Sequence, residues 1–400
     1  MEVKFLKKLL IGSFDMEVGG VERSLISMLD NFDYDNHEVD LMLYSHTGDF
    51  MPLLNNKVNL LKEDRKYSTF RKSIVETFKQ GNILLGSSRI LARIFANLKG
   101  KINKTNEYGV YQMQLMWKYA LPFLPKIEKE YDVAISYLWP HYFIAEKVKA
   151  IKKIAWIHTD YSTIETDVNL DLKMWDKFDH IIAVSEECKN AFLTKYPILK
   201  EKIKVIENIT SPDFIKKMAK ENIECIEEDN SFKVLSVARL SHAKGIDRAV
   251  KALKILHERG LTNIKWYVVG YGGDEEIIRK LIEENNFQES FILLGKKFNP
   301  YPYMKKCDLY VQPSRYEGKA VTVGEAQILG KPVMITNYTT AKSQVKEGFD
   351  GYICDSTIEG IADGIEKLFE DKAFRDKLAY NCKKSDYKNF NELNKLYKLI

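Results

Sequence analysis

The sequence predicts an α/β protein built from two doubly wound, Rossmann-like domains facing each other across a cleft. Three observations carry that expectation. The 400 residues exceed one ordinary core and suit two domains of about 150 to 200 residues each. Short apolar runs alternate with helical patterns through the first half, as the β-α units of a parallel sheet require. The same alternation restarts at Lys233, beyond a pattern break at Asn208-Ile209-Thr210-Ser211-Pro212-Asp213 and an acidic polar stretch that reaches Asn230. The expected division is 1–210 and 211–400, with the last helix placed to pack back on the first domain.

In chain order, 5–11, 38–44, 133–137, 153–157, 181–184 and 204–206 read as strands, with 21–30 and 186–196 the clearest helices among them. In the second half, strands at 234–237, 265–269, 291–294, 309–312 and 332–335 alternate with helices around 246–259, 275–285, 323–329 and 361–369. Ligands of such sheets collect at the carboxyl ends of the strands, so the loops that follow strands hold the candidate chemistry.

Composition excludes several classes. At 45% hydrophobic, 12% aromatic and 29% charged, the chain is that of a soluble folded protein rather than a disordered one. The five cysteines, Cys188, Cys225, Cys307, Cys354 and Cys382, are scattered without C-x-x-C spacing, which argues against a zinc site or a disulfide framework and fits a reducing cytoplasm. Residues 1–12 lack the apolar core of a signal peptide, and no run approaches the roughly 20 apolar residues that span a bilayer. A net charge of +5 is too mild to argue for nucleic acid. Its distribution is uneven, however: from Lys62 to Lys104 basic residues outnumber acidic ones, with Phe70, Ile74, Phe78, Ile83, Leu84, Leu85, Ile90, Leu91, Ile94, Phe95 and Leu98 interleaved. Two readings of that segment stand side by side, a solvated helical face or an amphipathic surface drawn to anionic lipid.

The sharpest motif runs from Ser314 to Ala326, directly after the strand at 309–312. Glu317 and Glu325 bracket a loop that becomes a helix. The amides of Gly318, Lys319 and Ala320, followed by Val321, are suited to receive phosphate or sugar hydroxyls, and Glu325 can accept two hydrogen bonds from adjacent hydroxyls such as those of a ribose. The bland alternative makes Glu317 a capping acid and Glu325 a solvated one. Upstream, Arg239 ends a strand and Lys244 follows five residues later, placing two cations at one mouth, as gripping a diphosphate requires. Lys244 could instead be an exposed first-turn lysine, although a cation gains nothing from the dipole there.

In the first half, Gly19 and Gly20 precede the first helix, where paired glycines let backbone approach an anion. Adjacent glycines are not the Gly-x-Gly-x-x-Gly fingerprint, and Gly270-Tyr271-Gly272-Gly273 also fails it, so a nicotinamide cofactor loses ground. His158 ends a predicted strand, either as a structural histidine or at the cleft edge. Asp33-Tyr34-Asp35 matches a metal-binding Asp-x-Asp pattern but sits in a turn where acids are common, so no metal is assigned.

Together, Glu317 and Glu325 at Glu-x7-Glu spacing, Arg239 and Lys244, the Gly19-Gly20 loop and His158 resemble the retaining glycosyltransferase family 4 of the GT-B superfamily, in that family's order and over nearly the whole chain. The wording around Ser314 to Gly318 is similar to bacterial capsule and exopolysaccharide transferases. The resemblance implies an N-terminal acceptor-binding domain and a C-terminal nucleotide-sugar domain. It implies that Glu317 and the amides through Val321 hold the donor sugar, Glu325 the ribose, and Arg239 and Lys244 the diphosphate, with Gly19 and Gly20 near the phosphates and His158 near the sugar. Lys297 and Phe298 would lie against the base. Lys319 departs from the family, which often has an aromatic or aliphatic residue there.

The implied activity is metal-independent transfer of a hexose-type sugar, with retention, from a nucleotide-diphosphate sugar, most simply a UDP-sugar, to a lipid-linked glycan acceptor at the cytoplasmic membrane face. No cofactor beyond the donor co-substrate and no nucleic-acid partner is expected. The rivals are a GT-B sugar-nucleotide 2-epimerase or phosphorylase, and a non-catalytic partner subunit of another transferase.

Overall fold

A computed structural model describes residues 6–103, 109–159, 161, 164–223, 226 and 229–400. Cys225, and Lys104 at the end of the basic segment, lie outside the described residues. The chain divides into two compact units, Met1–Ile209 with Asn389–Ile400, and Thr210–Lys388.

The first unit holds β1 (Lys7–Ser13), β2 (His37–Leu43), β3 (Asn59–Leu60), β4 (Tyr131–Ser136), β5 (Ala150–Ile157), β6 (His180–Ala183) and β7 (Ile203–Val205) in the order β3-β2-β1-β4-β5-β6-β7. Every pairing among them is parallel. Parallel strands are covered on both faces, which is why Leu9, Leu10 and Ile11 in β1, and Ala134 and Ile135 in β4, are all 0% exposed. β1 runs two residues beyond its apolar stretch because Gly12 and Ser13 still pair with Met42 and Leu43.

The second unit holds β8 (Phe232–Val237), β9 (Ile264–Val269), β10 (Phe291–Gly295), β11 (Leu309–Gln312), β12 (Val333–Thr336) and β13 (Tyr352–Cys354) in the order β10-β9-β8-β11-β12-β13, again parallel throughout. Alternation along each strand feeds two cores. Val234, Trp266, Val268, Leu309 and Val311 pack with the helices Ile246–Glu258 and Ile358–Glu370 on one face. Leu235, Val237, Tyr267, Val269 and Tyr310 pack with Tyr301–Lys306 and Val321–Ile328 on the other. The buried Ser236 hydroxyl donates to the Val311 carbonyl at 2.6 Å and accepts from Trp266 Nε1 at 3.0 Å, so a polar group in the sheet centre is satisfied while tying three strands.

The basic segment folds as a 3-10 turn (Tyr67–Arg71), a short helix (Ile74–Lys79) and a long helix (Ile83–Asn103). Ser73 and Glu76 form a reciprocal capping box that starts the short helix.

The terminal helix Asn391–Tyr397 belongs to the first unit. Tyr397 stacks on His37 with ring centroids 5.4 Å apart, and its hydroxyl accepts from the Asp33 amide at 2.8 Å. Leu396 is fully buried. Replacing Leu396 with alanine should therefore destabilise the first unit by about 2 to 4 kcal/mol, read as a lower denaturant midpoint. A loss under about 0.5 kcal/mol would show the segment to be an ornament on a core complete without it.

Candidate functional site

β8 lies against β11, and the loops leaving their carboxyl ends lead to helices on opposite faces of the sheet. Such a topological switch point leaves a crevice that ligands occupy in open α/β sheets. Arg239, Lys244 and Glu317 all stand on these two loops.

Lys244 ends a 3-10 turn, His242–Lys244, and its ammonium donates to both Glu317 oxygens, at 2.7 and 2.6 Å. The Glu317 side chain is only 6% exposed. Its Oε1 also accepts from the Ser314 hydroxyl at 2.7 Å and from Gln312 Nε2 at 3.1 Å, while Tyr310 donates to Gln312 Oε1 at 2.8 Å and so orients that amide. A nearly buried carboxylate is thus fully engaged, as charge in a low dielectric requires.

Two devices hold the loops in register. Gly245 has φ +66, and a Cβ there would overlap the Pro313 carbonyl oxygen, so only glycine both takes the left-handed turn and admits the neighbouring loop. Arg315 then clamps them: its amide donates to the Ala243 carbonyl at 2.8 Å, and its guanidinium donates to the His242 carbonyl at 2.7 Å and to both Asp247 oxygens at 2.8 and 2.7 Å. Burial works against the Asp247 charge, and the Arg315 fork overcomes it, holding the carboxyl below its ordinary value. Nothing local in the sequence marks this clamp, because its partners lie 68 residues apart.

Arg239 is exposed and, among the described residues, makes no hydrogen bond or ion pair. Its loop is packed from behind by Gly270 and Gly272, where a Cβ would overlap the carbonyl oxygens of Ala238 and Leu240. Those glycines therefore serve close backbone packing, which accounts for a Gly-x-Gly that is no dinucleotide fingerprint. Gly318, Lys319 and Ala320 precede the helix, which begins at Val321, and its N-cap residue Ala320 has no side-chain oxygen to cap the first amides. Glu325 is 2% exposed and accepts from the Tyr301 hydroxyl at 2.9 Å, so it is a buried, anchored acid rather than a solvated one. Lys297 lies 5.9 Å over the Tyr303 ring, and Phe298 beside it is half-buried.

Gly19, Gly20 and His158 lie in the first unit. Gly19 is the N-cap of the helix Gly20–Asp30, and a Cβ on it would overlap the Glu22 carboxylate; around Gly20 the corresponding space is open. Burial pushes the Glu22 carboxyl up to about 7, with Asp15 and Glu17 adding to the rise and Arg71 opposing it. Asp15 itself is buried and ion-paired to Arg71. No motif marks Glu22, because its behaviour is set first by burial in the folded chain.

His158 stands beside Tyr137, ring centroids 4.8 Å apart, with its Nε2 buried and, among the described residues, without a hydrogen-bond partner. Burial drives its ionisation down to about 3, against a hydrogen bond to the Tyr137 backbone. His141, fully buried and bonded through Nδ1 to the Ser136 hydroxyl at 2.8 Å, is lowered to about 3 for the same reason. His158 is therefore a neutral hydrogen-bonding group, not a cation.

Residues 219–385 match the sequence profile of the family described as Glycosyl transferases group 1. The chain is 24% identical over 327 residues to an uncharacterised glycosyltransferase of Methanocaldococcus jannaschii, MJ1607, covering 72% of this chain and 82% of that protein. It is 28% identical over 221 residues to the capsular polysaccharide biosynthesis glycosyltransferase CapM of Staphylococcus aureus, covering 51% of this chain and 56% of CapM. The chain thus spans about half the length of CapM and more of MJ1607. Among solved structures, Anabaena HepE in complex with UDP and glucose superposes with a TM-score of 0.65 at 19% identity over 98% of both chains. The fold is that of the GT-B glycosyltransferases.

Two expectations follow from the site geometry. Gly245→Ala should cost about 1 to 3 kcal/mol through left-handed strain and the Pro313 overlap, lowering the thermal midpoint; an unchanged midpoint would contradict the clamped-loop description. The His158 ring should show no titration by NMR between about pH 5 and 8. The unfolded chain takes up that proton near pH 6.5 and the folded one only near 3, so this contribution to stability is complete above 6.5 and falls as the pH drops through that window. A His158 midpoint near 6.5 would remove the neutral-imidazole account.

Proposed function

We propose that the protein is a retaining glycosyltransferase that moves a hexose-type sugar from a nucleotide-diphosphate sugar, most simply a UDP-sugar, to a lipid-linked acceptor in bacterial surface-polysaccharide synthesis. The observation that carries the reading is the Lys244 ammonium fixed by Glu317 at the β8–β11 switch point, with the guanidinium of Arg239 unengaged on the same loop. The profile match over 219–385, the capsule role in CapM's name and the UDP bound to HepE support it.

An ammonium has three N–H donors, and Glu317 takes two, leaving one for a phosphate oxygen. As the bond between sugar and diphosphate breaks, negative charge grows on the leaving β-phosphate. Lys244 and Arg239 stabilise it, already in place and without reorganisation, doing the work that a metal ion does elsewhere. The amides of Gly318 to Val321 and the Glu317 carboxylate hold the sugar, and Glu325, anchored by Tyr301, accepts from the ribose hydroxyls. Lys297 and Phe298 lie along the base. The first unit carries the Gly19-Gly20 backbone and the neutral His158 ring, groups whose chemistry suits phosphate and sugar hydroxyls. No carboxylate in this scheme is placed as a nucleophile. The front-face displacement that the resemblance implies, in which the leaving phosphate accepts the acceptor's proton, would give retention.

Thermal denaturation against a panel of UDP-, GDP-, ADP- and dTDP-sugars should show one nucleotide class raising the midpoint, since a ligand bound only to the native state stabilises it. Lys244→Ala should abolish that shift and lower transfer at least about 100-fold. A panel without any shift, or a Lys244→Ala protein with full activity, would defeat the reading. In the product, NMR should show the anomeric configuration of the donor preserved; inversion would defeat the front-face route while sparing the donor site.

A further inference from the structure

The helix Ile83–Asn103 is turned the unusual way round. Its buried side carries Leu85, Ser88, Ala92 and Ala96, mostly small residues, while Leu84, Ile90, Leu91, Ile94, Phe95 and Leu98 are between 41% and 59% exposed. At 100° per residue these six share one arc wider than about 100°, so the large apolar side chains form a continuous stripe facing solvent. Val75 on the preceding helix is also exposed, at 63%. Scattered exposed leucines need no explanation, but a contiguous stripe of this kind does.

We infer that this stripe inserts into the interfacial layer of an anionic bilayer, so that the Ile83–Asn103 helix is the membrane-seating element of the protein. Three observations choose a bilayer over a second copy of the chain. The helix contains no Asp or Glu, and of its four basic residues, Arg89, Arg93, Lys99 and Lys101, Arg93 is exposed while Arg89 turns inward to donate to the Thr69 carbonyl and the Thr77 hydroxyl. The preceding stretch presents exposed Lys62, Arg65, Lys66 and Lys79, with Arg71 exposed but paired to Asp15, against three acids, Glu63, Asp64 and Glu76, which accept from the backbone amides of His46, Lys66 and Ser73. A two-fold contact between copies would set these like charges against each other, whereas anionic headgroups neutralise them. The helix lies on the surface rather than crossing: its other side packs on the helix Gly109–Ala120, with Phe95 and Tyr119 meeting at the margin, ring centroids 6.2 Å apart, and among the described residues no helix is long and apolar enough to span. The inference deepens the proposed lipid-linked acceptor by naming where the bilayer is met and rests on that reading for its purpose, yet binding can be read without any catalytic turnover.

The test uses the purified full chain and sedimenting vesicles of phosphatidylcholine with about 30% phosphatidylglycerol. The wild type should pellet with them, and Leu91→Gln/Phe95→Gln/Leu98→Gln should lose at least about tenfold in partition while keeping its thermal midpoint. Should that variant not fold, Phe95→Trp serves instead: the emission of the added indole should shift to the blue on vesicles and be quenched by brominated lipid. Wild-type protein left in the supernatant at low salt, undiminished pelleting of the triple variant, or an unshifted indole emission from Phe95→Trp would overturn the inference. So would a vesicle-free dimer that the triple variant abolishes, since that assigns the stripe to a second copy. Absence of vesicle binding with donor-induced stabilisation intact would sink the seating helix alone, and the reverse would sink the donor reading alone.

Discussion

The bond between Lys244 and Glu317 is the constraint around which the second unit's loops are arranged. A carboxylate this deeply buried needs a partner, and losing the ammonium would leave a charge in a low dielectric at a cost of several kcal/mol. The strand order supplies the meeting place, because β8 and β11 are neighbours although their loops are far apart in sequence, Lys244 and Glu317 being separated by 73 residues. Around the pair, Gly245 allows the approach and Arg315 with Asp247 fixes it. The cation that would face a diphosphate is thus placed before any ligand arrives, which is what electrostatic preorganisation demands.

The two units differ in electrostatic character at their strand ends. The second presents cations and backbone amides, suited to a polyanion. The first gathers neutral imidazoles at His141 and His158 and the carboxyl of Glu22, whose burial favours the protonated form near neutrality. Groups of that kind hydrogen-bond without attracting charge, as His141 does with the Ser136 hydroxyl. The same fold pattern, repeated, is given two chemistries by its loops.

How much was legible in the sequence depends on the range of the interaction concerned. Strands β8, β9 and β11 announce themselves as apolar runs because parallel strands are buried on both faces, and their ends lie within two residues of expectation. β3, of two residues, is too short to carry a period, and β13, of three, is half-buried at two of them rather than buried throughout. The Ile358–Glu370 helix starts three residues earlier than its periodicity suggests because Thr357 caps it through the Gly360 amide, a signal present but passed over. The GT-B architecture was legible through its motifs. The Arg315 clamp was not, since its partners are distant in sequence, nor was the Glu22 environment, which burial creates. The segment around Ile83–Asn103 reads as amphipathic, but which side faces inward is decided by tertiary packing, which here selected the small residues.

The central claim, that the loops after β8 and β11 grip a diphosphate, is tested most directly by a crystal structure of the protein with UDP. The account predicts phosphate oxygens within hydrogen-bonding reach of Lys244 Nζ and the Arg239 guanidinium, with the ribose at Glu325. A nucleotide bound elsewhere, or at this crevice with neither cation touching phosphate, would contradict it.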